Sequence, residues 1–222
     1  MHRTQKILTT LLWGLMVVCM LALVGTGVMA TRRDSGEQLV QRYNEQEEYL
    51  PALYAAPDFS LTDQNNNTVT TQSLRGRVWV AAFIFTNCAG PCPMMSQKMA
   101  QLQETVPDPR VMLVSFTVDP QRDTPQVLRQ YADTFGADHS RWLFLTGSEE
   151  QMMETARTMY ITAIPATDDS PIIHSEKLLL VDAAGKIRGI YRSSEAEDLE
   201  QLATDAKHLA AEAPAPATGR PS

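Results

Sequence analysis

Basic residues cluster nowhere in this 222-residue chain beyond its N-terminal end, and the formal net charge is −7. A surface that neutralises nucleic-acid phosphates is therefore excluded, which leaves small molecules, proteins and membranes as partners. No internal repeat is visible, so a solenoid or propeller array is excluded as well. Cysteine is scarce: Cys19, Cys88 and Cys92 are the full set. Cys19 lies inside an apolar run, where a thiol behaves as a small hydrophobe, and its surroundings are not those of a lipobox. One pairing is thus left for disulfide or ligand chemistry, Cys88 with Cys92. No Arg- and Ser-rich presequence precedes the apolar run, which favours a bacterial over a mitochondrial membrane.

That run, residues 7–30, carries no charge and is bracketed by Arg3 and Lys6 on one side and Arg32 and Arg33 on the other. It is long enough to cross a bilayer and longer than the roughly 7–15 residues of a signal-peptide core, so it reads as a retained anchor. The competing reading is a cleaved signal peptide, because VMA at 28–30 has the small residues that a signal peptidase recognises. The flanking charges nearly balance and do not fix an orientation by themselves. Either reading exports the rest of the chain, into a compartment where disulfide chemistry is permitted. The expected organisation is an anchor over 1–33, a polar stalk over 34–56, one folded domain over 57–210 and a disordered Pro/Ala-rich tail over 211–222. The expected location is the inner cell membrane, crossed once, with the domain on the periplasmic or extracytoplasmic side.

Within the domain, PDFSLTDQNNNTVTTQSLRG predicts a β-hairpin turning at NNN. VWVAAFIF and VMLVSFTV are continuous apolar runs of the kind that form strands covered on both faces. Between them, residues 93–105 place Met95, Met99 and Leu102 at helical intervals, and Pro107 and Pro109 end the helix. Thr124-Pro125 starts a second helix, WLFLTG is a third strand, and Ser148 with Gln151 forms a capping box for a third helix. HSEKLLLVDAAGKIRGIY then predicts an antiparallel hairpin that opens at His174, and residues 195–210 a closing helix. Parallel β-α units followed by a hairpin and a helix describe an α/β thioredoxin-like fold, here with an extra N-terminal β-hairpin and one preceding transmembrane helix. In open α/β sheets, chemistry sits at the carboxyl ends of parallel strands, and NCAGPC occupies such an end.

Cys88 and Cys92 stand four residues apart where a strand gives way to a helix. A helix starting near Cys88 brings both sulfurs to one face, and its N-terminus favours thiolate. A reversible disulfide, a two-thiolate clamp for a soft ion such as Cu(I), and a structural bridge all fit this spacing. The bridge is the weakest of these, because closing so short a loop removes little entropy from the unfolded chain. An imidazole would complete a trigonal soft-metal site. Of the four histidines, His2 precedes the apolar run, His139 lies in a polar loop and His208 near the end of the last helix. His174 alone begins a strand that a thioredoxin-like topology sets beside the cysteine turn, although a lone histidine there is more often structural. Met94 and Met95 invite a thioether-ligand reading, but helical spacing assigns them to the core. Asp119 in VDP ends a parallel strand, as a turn residue or as a carboxylate near the cysteines.

PDFSLTDQ, FIFTNCAGPCP, VSFTVDPQRDTPQVLRQYA, FLTG and the single histidine of IIHSEKLLLVD together resemble the Sco/SenC family of membrane-anchored copper proteins over residues 57–206. TVDPQRDTP is the most specific piece. The resemblance implies a thioredoxin fold in which Cys88, Cys92 and His174 bind one copper ion, with Asp119 as a possible neighbour of that site. It further implies delivery of copper to the binuclear site in subunit II of cytochrome c oxidase, or reduction of that site's cysteines. The enzyme alternative is a metal-free thiol-disulfide oxidoreductase in which Cys88 attacks and Cys92 resolves. Two departures stand out. Ala89 follows the first cysteine where the family has proline, and Ile172-Ile173 precede the histidine where the family has valine-aspartate. The second removes a carboxylate neighbour of the imidazole, which bears on affinity and redox tuning.

Overall fold

The computed structural model describes residues 49–159 and 176–213, the backbone of residues 163–164 and 173–174, and the helical positions Met16 and Met20. Apart from Met16 and Met20, the anchor segment lies outside the described residues, as do residues 214–222 of the tail. Among the described residues, no helix is long and apolar enough to cross a membrane.

The strands are β1 (Tyr54–Ala55), β2 (Ser60–Asp63), β3 (Thr68–Thr70), β4 (Val78–Ile84), β5 (Val111–Thr117), β6 (Trp142–Thr146), β7 (Ala163–Ile164), β8 (Ile173–His174), β9 (Lys177–Val181) and β10 (Lys186–Arg192). The helices are α1 (Pro91–Thr105), α2 (Pro125–Thr134), α3 (Glu149–Thr158) and α4 (Ala196–Glu212). One eight-stranded sheet has the order β1-β10-β9-β4-β5-β6-β2-β3, and β7 and β8 form a separate pair. β4, β5 and β6 are mutually parallel, whereas β9 runs antiparallel to β4. The predicted N-terminal hairpin exists as β2 and β3 and docks on β6 at the far edge. Tyr54–Ala55, within the segment read as a stalk, adds a strand to β10 at the opposite edge.

The apolar runs are double-sided strands for a visible reason. Along β4, Val78, Val80, Ala82 and Ile84 pack under α1, α2 and α4, while Trp79, Ala81 and Phe83 pack on the face that α3 covers. Successive side chains in a strand point to opposite faces, so a strand with helices on both sides has no polar position. In the second layer Phe116 stacks on Phe83 at 5.0 Å between ring centroids and meets the edge of Phe59 at 5.4 Å. Phe116→Ala is expected to cost roughly 3–5 kcal/mol of stability. Denaturant unfolding checks this, and a loss below about 1 kcal/mol would contradict the packing described.

Three boundaries differ from the sequence reading. The helix after the cysteines starts at Pro91, earlier than the expected 93, because proline's fixed φ and missing N–H suit the first helical position. The late hairpin opens at Lys177, not at His174, which instead sits in β8 opposite Ala163. Only from Lys177 onward does β10 supply pairing partners, beginning with Arg192. α4 reaches Glu212, two residues past the expected end.

Candidate functional site

NCAGPC is the connection between the carboxyl end of β4 and the first turn of α1. Gly90 is the N-cap and offers no side chain, and Pro91 starts the helix. Cys92 therefore falls in the first helical turn, where it is fully buried in the helix-covered core layer that also holds Ile84, Met95 and Met99. Cys88 lies before the helix and is half-buried on the edge of the same layer. A helix starting near Cys88 would carry both cysteines, but the helix starts at Pro91 and carries Cys92 alone. The sulfurs nevertheless meet: neither is in a disulfide, and Cys88 is in hydrogen-bonding contact with Cys92.

Burial pushes the Cys92 thiol far up, and the neighbouring Cys88 and the charge of Asp123 push the same way. The N–H of Phe85 opposes them, donating to Cys92 Sγ at 3.5 Å. The pair is asymmetric, with one accessible sulfur and one shielded, protonated sulfur. Since the thiolate is the nucleophile, a brief treatment of the reduced, folded protein with iodoacetamide at about pH 8 is expected to alkylate Cys88 and spare Cys92. Peptide mapping reads the outcome, and equal labelling of the two would refute the burial.

The TVDPQRDTP loop is tied to the start of the cysteine loop at Thr86. Asp119 is buried, accepts a 2.8 Å bond from Arg122, and its backbone carbonyl receives the N–H groups of Arg122 and Asp123. Its carboxylate is therefore engaged within its own turn. The carboxylate that reaches the base of the cysteine loop is Asp123, which the sequence reading did not single out. It is fully buried and accepts from Thr86 N at 3.1 Å, Thr86 Oγ1 at 2.5 Å and Thr117 Oγ1 at 2.5 Å. Burial raises its pKa while these donors pull it down. The signal that could have found it is the second aspartate of the motif, which stands just before the helix-starting Thr124-Pro125. Tyr131 of α2 is also new. Its hydroxyl is 2.9 Å from Ser96 Oγ, and burial, with smaller contributions from Cys92 and Cys88, pushes it up to about 12.

The other sequence candidates divide. Met95 is core, as expected, but Met94 is 61% exposed on the outer face of α1. His139 is held by Asp133 and Gln64, and His208 pairs with Glu212, so both are structural. His2 lies outside the described residues. His174 enters through its backbone alone. Ala81 faces Leu179 across the β4/β9 ladder, and β9 is antiparallel to β4. The chain feeding β9, which includes His174, therefore comes from the end of the sheet at which β4 delivers the cysteines. Among the described residues no group of three or more Cys, His, Asp and Glu is gathered as a metal cage. The donor set seen here is the sulfur pair, which suits a soft, low-coordinate ion or a reversible disulfide.

The SCO1/SenC family model matches residues 47–211, the whole sheet and its helices. This chain belongs to the SCO1/SenC family. A SCO1 protein homolog of Bacillus subtilis is 33% identical over 162 residues, which cover 71% of this chain and 83% of that protein. Among solved structures, BsSco, described as a member of the Sco family of cytochrome c oxidase assembly proteins and as having a disulfide switch, aligns with a TM-score of 0.65 at 31% identity. That alignment covers 73% of this chain and 97% of BsSco. Arabidopsis thaliana ScoI, solved with copper bound, aligns with a TM-score of 0.61 at 26% identity over 71% of this chain and 99% of its own. The mixed α/β, thioredoxin-like architecture expected from the element order is the Sco fold, and the cysteine loop and the TVDPQRDTP loop both lie inside the region that the family model spans.

Proposed function

We propose that this Sco protein carries one Cu(I) ion as cargo, held by the thiolates of Cys88 and Cys92 and the imidazole of His174, and passes it to the binuclear copper site in subunit II of cytochrome c oxidase. Residues 1–33 anchor it in the inner membrane, and the segment from residue 34 up to the point where Tyr54–Ala55 joins the sheet lifts the domain into the extracytoplasmic space. The observation that carries this reading is the pair of reduced, contacting thiols at the carboxyl end of β4. Two thiolates match the softness of Cu(I), and a half-exposed Cys88 gives an incoming partner a ligand to displace first. Copper in Arabidopsis ScoI and the oxidase-assembly role of the Sco family named for BsSco support it. Titrating the reduced full-length protein with Cu(I) against a chromophoric chelator should give about one ion per chain. Binding of none would end the proposal.

The asymmetry of the pair favours a second role on the same residues. Cys88 thiolate attacks a partner disulfide, forming a mixed disulfide and releasing one partner thiolate. Cys92, once deprotonated, attacks the Cys88 sulfur, releasing the second partner thiolate and leaving a Cys88–Cys92 disulfide. Reduction of the acceptor's cysteines in this way would precede copper delivery, since an oxidised acceptor offers no thiolates.

A further inference from the structure

Copper binding by Cys88, Cys92 and His174 leaves unused a fully buried carboxylate in the next loop. Asp123 accepts hydrogen bonds from the N–H and hydroxyl of Thr86, two residues before Cys88, and from the hydroxyl of Thr117 at the carboxyl end of β5. Thr117 Oγ1 in turn receives the Asp119 N–H at 3.0 Å, and the Asp119 carbonyl receives the N–H groups of Arg122 and Asp123. The 119–123 turn is therefore closed on itself and rigidly presents one carboxylate. Thr86 directly follows Phe85, whose N–H points at Cys92 Sγ. Pinning Thr86 thus also fixes the backbone donor that touches the buried sulfur.

We infer that Asp123 is a positioning residue for the cysteine pair: through Thr86 and Thr117 it clamps the carboxyl ends of β4 and β5 together and holds the cysteine loop in its reduced, open-for-ligand arrangement. A carboxylate suits the task because its two oxygens answer three donors, which no neutral side chain of this size does. The hydrogen bonds are charge-assisted and sheltered from water, which makes them strong enough to hold a loop. The clamp acts on the reduced state in particular. The Phe85 N–H contact is made to the reduced Cys92 thiol, so loosening it removes a contact of the reduced form and moves the equilibrium toward disulfide.

The inference rests on the proposed copper role for one of its readouts only. Thr86→Ala removes one hydroxyl from a half-buried loop position, and Thr86→Ser restores it. In the full-length protein, Thr86→Ala is expected to shift the dithiol–disulfide equilibrium about tenfold toward disulfide, about 30 mV against a glutathione buffer, and to weaken Cu(I) binding by about tenfold. Thr86→Ser should return both to within about twofold of wild type. Asp123→Ala should move both quantities further in the same direction, and if its two orphaned hydroxyls cost the fold, the Thr86 pair decides. A Thr86→Ala protein with wild-type potential and copper affinity overturns the inference, as does a Thr86→Ser protein that stays as impaired as the alanine variant. If wild type binds no copper, the proposed function fails, while the potentials still report on the clamp.

Discussion

Oxidation of Cys88 and Cys92 to a disulfide is expected to abolish copper binding completely. The donors are thiolates, and a disulfide sulfur has neither the charge nor the basicity to hold Cu(I). The two cysteines are already in hydrogen-bonding contact, so the partners of the bridge are neighbours in the reduced protein. The same chemistry fixes a pH dependence. The buried Cys92 keeps its proton in the free protein, because its pKa is raised well above the ordinary 9.0. Copper must displace that proton. Binding therefore releases protons, and apparent affinity rises as pH rises through the neutral range, with the gain continuing until the free thiol itself ionises. Equilibrium dialysis of reduced and oxidised protein over about pH 6–9, with stoichiometry by metal analysis, measures both effects. Copper retained by the oxidised protein, or an affinity that is flat with pH, would remove Cys92 from the ligand set.

His174→Ala is expected to lower Cu(I) affinity by about a hundredfold or more, about 2.8 kcal/mol, because a trigonal site falls back to two sulfur ligands. Its effect on thiol chemistry should be small, since attack and resolution need only the two cysteines. Stability should barely change. β8 is a two-residue strand outside the main sheet, and its backbone pairing with Ala163 does not depend on the side chain. A chelator competition run beside a disulfide-reduction assay separates the roles. Equal copper affinity in mutant and wild type would take the imidazole out of the site. A parallel loss of reductase activity would favour the oxidoreductase reading over the chaperone.

The layered α/β architecture was legible in the chain because its signals are local. VWVAAFIF and VMLVSFTV are apolar at nearly every position, which only a strand covered on both faces requires, and they became β4 and β5. Ser148 with Gln151 and Thr124 with Pro125 marked helix starts through hydrogen bonds made within one turn, and both caps are formed. The cysteine spacing at a strand-to-helix junction, with TVDPQRDTP and the histidine before KLLLV, was enough to suggest the family. The late start of the second hairpin has a long-range cause. Where β9 begins depends on what lies across from it, and β10 starts to pair only at Lys177.

What the sequence determined by itself is therefore the order of elements, the double-sided sheet and the identity of the sulfur pair, each written in neighbouring residues as periodicity, caps or spacing. What only the tertiary structure decided is which groups meet at that pair. Asp123 differs locally from Asp119 only in standing just before Thr124-Pro125, and nothing in the chain says that one carboxylate is tied up by Arg122 while the other reaches 37 residues back to Thr86. Cys88 and Cys92 are chemically identical in sequence and differ in the fold, because the helix starts at Pro91, so that Cys92 is turned into the core and Cys88 is left at its edge. Tyr131 comes near the sulfurs because α2 packs beside α1, hydroxyl to hydroxyl with Ser96. Burial and long-range hydrogen bonding arise from packing between elements, and no local pattern encodes them.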